Sequence, residues 1–300
     1  MSAPADAACP VCAGAGYAVE QRLGKPARAR RCACQAACPR CKETGFVLVA
    51  RGDAQVAQPC SCRHLDERIR LFCEVGVPAV AAHASFETFR TWSPDHSAAR
   101  ALADGLARKL RPDEPAKGYL LYGRPGGGKT HLLVATLRHL SLERGVAGRY
   151  VEFMLLLSDI KAGFAAGKNQ MEILRPLLSV PVLAIDELGK ERGTEFERSM
   201  LDELISRRYS GGLTTLFATN YFPDGPPASA AAPGPQPAAA LRRVNTRSVD
   251  FAREAEAMTL PQRVGDRIFS RLNEMCTFQK LDPGSDYRRD RPGSGGFWGG

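Results

Sequence analysis

Two groups of residues in this chain have the types and spacing for chemistry. The first is GRPGGGKT, Gly123 to Thr130, which fits G-x-x-x-x-G-K-[ST]. In such a loop backbone N–H groups cradle phosphates, and the glycines keep side chains out of the anion's way. Lys129 would reach the β/γ-phosphates, and the Thr130 hydroxyl would hold Mg2+. The expected nucleotide contacts are therefore Gly123, Arg124, Pro125, Gly126, Gly127, Gly128, Lys129, Thr130 and His131, with ATP and Mg2+ as ligands. Further along, PVLAIDEL at 181–188 places Val182 to Ile185 before Asp186 and Glu187. An apolar strand ending in two acids is the Walker B pattern. Asp186 would act through Mg2+, and Glu187 would polarise the attacking water.

The second group is cysteine. Eight of the ten cysteines lie between residues 9 and 62, as an internal repeat. Cys9-x-x-Cys12 is followed after nineteen residues by Cys32-x-Cys34, and Cys38-x-x-Cys41 after eighteen by Cys60-x-Cys62. A C-x-x-C knuckle puts two sulfurs on one turn, and a hairpin that returns a second pair closes a four-thiolate zinc site. Two Zn2+ are expected, in sequential sites or interleaved ones. Closed sites leave no open position for catalysis, so this is a binding module, stabilised largely by its metal. Arg22, Lys25, Arg28, Arg30 and Arg31 in the first hairpin read as a nucleic-acid contact or as a solvated tip.

The elements that position these residues follow from hydrophobic period. KGYLLYG is a strand before the loop, and Leu132, Leu133, Thr136, Leu137 and Leu140 recur at helical spacing after it, with Gly145 as a stop. A helix is expected over 95–111, a strand at Tyr150–Phe153 and a helix from near Ser158. GTEFERSMLDELISRRY reads as an amphipathic helix, and LTTLFATN as a strand ending in Thr219 and Asn220, a polar end able to hold water. Phe86, Phe89 and Trp92 read as core packing or as a wall for the base, and Cys73 as an ordinary buried thiol. The fold class is α/β: a P-loop domain with a central parallel sheet, plus a small zinc-ribbon N-terminal domain. Its parts are a tandem ribbon (1–64), a helical linker (65–84), an ATPase domain (85–290) and a disordered tail (291–300). A Pro/Ala-rich stretch at about 223–240 is expected to be a disordered insertion, and Phe297-Trp298 is a candidate docking peptide.

The formal charge is +9. Eight thiolates against two Zn2+ reduce that to +5, a modest basic excess that suits nucleic acid. No apolar run approaches membrane-span length, and the N-terminus lacks the pattern of a secretory signal, so the cytoplasm is expected.

Taken together, LLYGRPGGGKTHLL, LLLSDIKAGF, VLAIDELG, RRYSGGLTTLFATN, GDRIFSRLNEMC and SDYR resemble the DnaC/DnaI-type helicase loaders of the AAA+ class over about 77–290. The same block order occurs in IstB transposition helpers and, more distantly, in the DnaA initiator. The resemblance implies an ATPase that loads a DnaB-type replicative helicase onto single-stranded DNA and self-associates through AAA+ interfaces. It makes Lys129 and Thr130 the Walker A pair, Asp186 and Glu187 the Walker B pair, and Asn220 sensor 1. It makes Arg271 the arginine finger, with Arg267 in reserve and Arg288 as a candidate sensor 2. Lys161, Phe164 and Lys168 become candidate single-strand contacts. The cysteine repeats are similar to the zinc ribbons of DnaJ-type chaperones, and DnaI-type loaders carry a zinc-binding domain that docks on the helicase. Two rival readings are an IstB-like helper of a transposase and a zinc-ribbon adaptor with an ATP switch.

Overall fold

The computed structural model describes residues 9–35, 38, 40–42, 44–51, 54–60, 62–190, 193–224 and 258–281. Most of the Pro/Ala-rich stretch, Arg288, Phe297-Trp298 and the 291–300 tail lie outside the described residues.

Five strands form one parallel sheet: β5 (Gly118–Tyr122), β6 (Gly148–Glu152), β7 (Val182–Asp186), β8 (Thr214–Thr219) and β9 (Cys276–Lys280). Their spatial order is β6-β7-β8-β5-β9, so β8 separates the loop-bearing strand from the Walker B strand. Strands β7 and β8 are buried at every position, as expected of a sheet covered on both faces. Gly118 leaves room for β8 beside it: a Cβ there would stand 1.8 Å from the Thr215 carbonyl oxygen.

Helices cover both faces. On one side lie α1 (Cys62–Val75), α2 (Pro94–Lys109) and α3 (Lys129–Arg138); on the other lie α4 (Phe153–Ala165), α5 (Gln170–Ser179), α6 (Glu195–Ser210), α7 (Leu260–Val264) and α8 (Asp266–Met275). Several starts are written locally. Ser93 caps α2, with Pro94 in its first turn, and Asn169–Glu172, Thr194–Glu197 and Thr259–Gln262 form capping boxes.

Two boundaries differ from the sequence expectation. Helix α4 begins at Phe153, directly after β6, and not near Ser158. The reason is the burial period: Phe153, Leu156, Leu157 and Ile160 face the core, which sets a helical stripe from the first residue. Helix α3 gives way after Arg138 to a π turn, His139–Glu143, closed by Arg144 N–H to the His139 carbonyl. This turn buries Leu140 and Leu142.

The N-terminal region contains two antiparallel hairpins, β1 (Tyr17–Glu20) with β2 (Arg28–Arg31), and β3 (Phe46–Arg51) with β4 (Ala54–Pro59). The first packs into the core of the five-stranded sheet: Tyr17, Ala27 and Ala29 join one apolar cluster with Leu65, Phe72 and Val75 of α1. Cys73 is half-buried rather than buried, and its thiol donates to the Ala29 carbonyl at 3.4 Å.

Candidate functional site

The phosphate loop links β5 to α3. Gly128 caps the helix at φ 88°, and a Cβ there would lie 2.8 Å from Phe89, so only glycine suits this position. The N-terminus of α3 therefore begins directly at the end of the loop, the end of a helix that favours anions. Lys129 is buried, and its ammonium donates to the Gly123 and Arg124 carbonyls at 2.6 and 2.8 Å. That holds the charge at the centre of the loop.

Asp186 ends β7 beside it. Thr130 Oγ1 donates to Asp186 Oδ2 at 2.6 Å, and the Tyr150 hydroxyl donates to the same oxygen at 2.8 Å. The Glu187 N–H donates to Oδ1 at 2.8 Å. Burial first, then the Asp186 charge, pushes the Tyr150 phenol upward and keeps it a donor. Burial, then the charges of Glu187 and Asp186, likewise raises Glu152. A hydroxyl and a carboxylate side by side in this acidic corner are the hard oxygen donors that Mg2+ takes, so the residues fit the ion.

Glu187 holds φ 58°, a left-handed conformation uncommon for a residue with a side chain. Its carboxylate pairs with Lys190 at 2.8 Å. The next turn is pinned to β8: Leu188 N–H donates to the Ala218 carbonyl, and the Thr219 hydroxyl to the Leu188 carbonyl. Arg263 of α7 donates to the Gly189 carbonyl at 2.6 Å and lies over the Tyr221 ring. Because β8 sits between β5 and β7, exposed Asn220 emerges between the phosphate loop and the Walker B turn. Sequence reading missed Tyr150 and Arg263; the only available signal for Tyr150 was its position in a strand.

His131 anchors the loop to the preceding segment. Its Nε2 lies 2.8 Å from the Ser85 carbonyl oxygen, and its ring meets Phe89 edge-on. Phe86 and Phe89 are core residues, whereas Trp92 is exposed and lies against His96.

Arg271 of α8 pairs within the chain with Asp202 of α6 at 2.8 Å, its side chain 20% exposed. Arg267 reaches the same carboxylate at 3.7 Å and is 73% exposed. Phe164 is exposed on α4, with Phe196 against it, and Lys161 lies over the Phe196 ring. Lys168 is exposed just beyond the helix.

The cysteines gather sequentially. Cys9, Cys12, Cys32 and Cys34 form one tetrad and Cys38, Cys41, Cys60 and Cys62 the other, each with its sulfurs within 4.8 Å of one another. Across each hairpin Sγ–Sγ distances run from 3.4 to 3.8 Å. A tetrahedron with Zn–S bonds of about 2.3 Å has edges of about 3.8 Å, so both tetrads fit Zn2+. Knuckle N–H groups of Cys41 and Arg40 pull the Cys38 thiol down to about 6, which favours the thiolate a metal needs. In the first hairpin Arg30 pairs with Glu20 and Arg31 with Asp66, so part of the basic run has local partners. Among the described residues no helix is long and apolar enough to cross a membrane.

Known proteins place this arrangement. The chain is 27% identical over 152 residues to the replicative helicase loader DnaC of Escherichia coli K12, a stretch covering 50% of this chain and 61% of that protein. It is 28% identical over 181 residues to the phage-like element PBSX protein XkdC of Bacillus subtilis, covering 57% and 67%. The crystal structure of the DnaC helicase loader matches with a TM-score of 0.52 at 26% identity, covering 67% of this chain and 98% of that one. The pattern of the IstB-like ATP binding proteins matches residues 70–223, just over half of the chain. With its glycine-rich loop and the Asp186-Glu187 strand end brought together on an AAA+ sheet, the chain belongs to the family of IstB-like ATP binding proteins.

Proposed function

We propose that this protein is an ATPase that loads a DnaB-type replicative helicase onto single-stranded DNA in the cytoplasm. ATP binding would assemble subunits on the strand, and hydrolysis at their interfaces would release the loader. The observation that carries this reading is the similarity to DnaC in both sequence and fold, joined to the meeting of Lys129, Thr130 and Asp186 at the ends of the sheet strands. Lys129 and the loop N–H groups would bind the phosphates, and Thr130 and Asp186 would hold Mg2+, which would neutralise phosphate charge when bound. Glu187, released from Lys190, takes the proton of the attacking water, and Asn220 orients that water. Arg271 turns from Asp202 to the γ-phosphate of a neighbouring subunit, where a guanidinium stabilises developing charge. Arg267, on the same helix face and more exposed, is the second candidate for that role. Lys161, Phe164, Phe196 and Lys168 supply the aromatic and cationic surface that single strands use. The two cysteine tetrads would hold Zn2+, which would brace the N-terminal hairpins when bound.

Co-elution tests the reading. The full chain should form a complex with the replicative helicase of its own cell, and single-stranded DNA should raise ATP turnover. Absence of any complex, with or without ATP, would overturn it. Turnover stimulated by duplex DNA and a transposase would point instead to the IstB-like helper role that the family allows.

A further inference from the structure

The two cysteine repeats match residue for residue around their knuckles. Ala13 and Lys42 take the same left-handed conformation, at φ 45° and 46°, as do Gly16 and Gly45, at 78° and 74°. Tyr17 pairs with Arg31 just before Cys32, and Phe46 pairs with Pro59 just before Cys60. In this register Tyr17, Val19 and Ala29 correspond to Phe46, Leu48 and Ala57. Alternation along a strand puts each trio on one face of its hairpin.

The surroundings of the two faces differ. In the first hairpin α1 and the His139–Glu143 turn cover the face. Tyr17 and Ala29 are buried there, and the Tyr17 hydroxyl donates to Glu143 at 2.6 Å. Arg31 at the hairpin edge pairs with Asp66 of the covering helix. In the second hairpin Phe46 is 46% exposed, Leu48 is 68% exposed, and Ala57 is exposed with them. Here Arg63 lies over the Phe46 ring, 4.8 Å from its centre, so a cation again stands at the edge of the apolar face.

We propose that Phe46, Leu48 and Ala57 form a docking face for an amphipathic helix of another protein, with a carboxylate on that helix meeting Arg63. The occupant's chemistry follows from the first hairpin, whose matching face is closed by such a helix carrying Asp66. The duplicated ribbon thus has divided duties: one copy fastens the module to the ATPase, and the other presents the same kind of surface outward. The identity of the partner, the replicative helicase, rests on the loader reading above.

The test measures affinity of the full chain for that helicase with ATP present. Leu48→Glu and Ala57→Glu should each weaken binding at least tenfold, because a charge on the apolar face opposes closure by a helix. Leu23→Glu should bind as the parent does, since Leu23 is even more exposed, at 88%, but sits at the tip of the first hairpin. Unchanged zinc content and unchanged ATP turnover establish that the variants are folded. Parent-like affinity of both Leu48→Glu and Ala57→Glu would overturn the docking face and leave the loader reading standing. No binding by the parent chain would overturn both. A helicase complex that survives in these variants while self-association is lost would assign the face to a second copy of this chain, and so would also overturn the proposal.

Discussion

Three donors converge on the Asp186 carboxylate, from Thr130, Tyr150 and the Glu187 N–H. A hydrogen bond to a charged group is worth about 1.5–3 kcal/mol. Tyr150→Phe should therefore raise the Mg2+ concentration for half-maximal ATP turnover by about tenfold, with water recovering part of the loss; an unchanged Mg2+ titration would count against this role. Lys129→Ala should abolish nucleotide binding in a direct titration, whereas Glu187→Gln should bind ATP and fail to turn it over. His131 adds a pH dependence. Burial lowers its imidazole below the ordinary 6.5, so the folded state keeps it neutral while the unfolded chain accepts a proton. Stability should fall as pH drops from about 6.5 toward the lower folded value, and His131→Gln should flatten that limb in thermal melts. His139, lowered by burial as well, keeps part of the slope. At this scale the sequence exposes what motifs carry: Lys129, Thr130, Asp186 and Glu187 are legible because phosphate and Mg2+ chemistry fixes both type and spacing. Tyr150 is not, because it arrives from the neighbouring strand and no local spacing marks it.

Among the elements, the joint between α5, α6 and β8 depends on Arg208. It is fully buried and donates to the backbone carbonyls of Leu177, Val180 and Thr214 at 2.6 to 3.0 Å, and to the Thr215 hydroxyl. Burial lowers its guanidinium to about 9, so it stays a cation at neutral pH, held by carbonyl dipoles at the end of α5. Arg208→Met leaves those carbonyls unpaired and should cost about 3 kcal/mol, read as a clear drop in Tm. The ribbons offer a second contrast. Cys9→Ser should release one Zn2+ and lower the Tm of the parallel-sheet core, because Tyr17, Ala27 and Ala29 belong to that core. Cys38→Ser should release one Zn2+ with little change in Tm; equal destabilisation by both would contradict the asymmetry. The amphipathic pattern of GTEFERSMLDELISRRY made α6 legible in advance, whereas α5, a shorter helix with Pro176 inside it, was not foreseen. Nor was the difference between the ribbons, since the cysteine spacing is nearly the same in both and only the surroundings of Tyr17 and Phe46 distinguish them. The early start of α4 was hidden for a related reason: Phe153 to Leu157 is an apolar run whose period shows only once one side is buried.

For the whole molecule, sheet order is the decisive fact that motifs do not spell out. The sequence places Asn220 long after Asp186, yet β8 lies between β5 and β7 and so brings its end to the nucleotide edge. The α/β class and the loop strand were readable from hydrophobic runs; the insertion of β8 between them is a tertiary pairing. Assembly belongs to this scale too. Arg271→Ala should leave ATP affinity unchanged and reduce turnover only where subunits associate on DNA; a loss of nucleotide affinity in isolated chains would argue against a finger acting between subunits. The most direct measurement is helicase loading onto closed circular single-stranded DNA, a substrate with no end to thread, read as helicase retained on the circle after a salt wash. With ATP the parent chain should promote loading, and Lys129→Ala should not. Equal loading with and without the parent chain would contradict the loader reading.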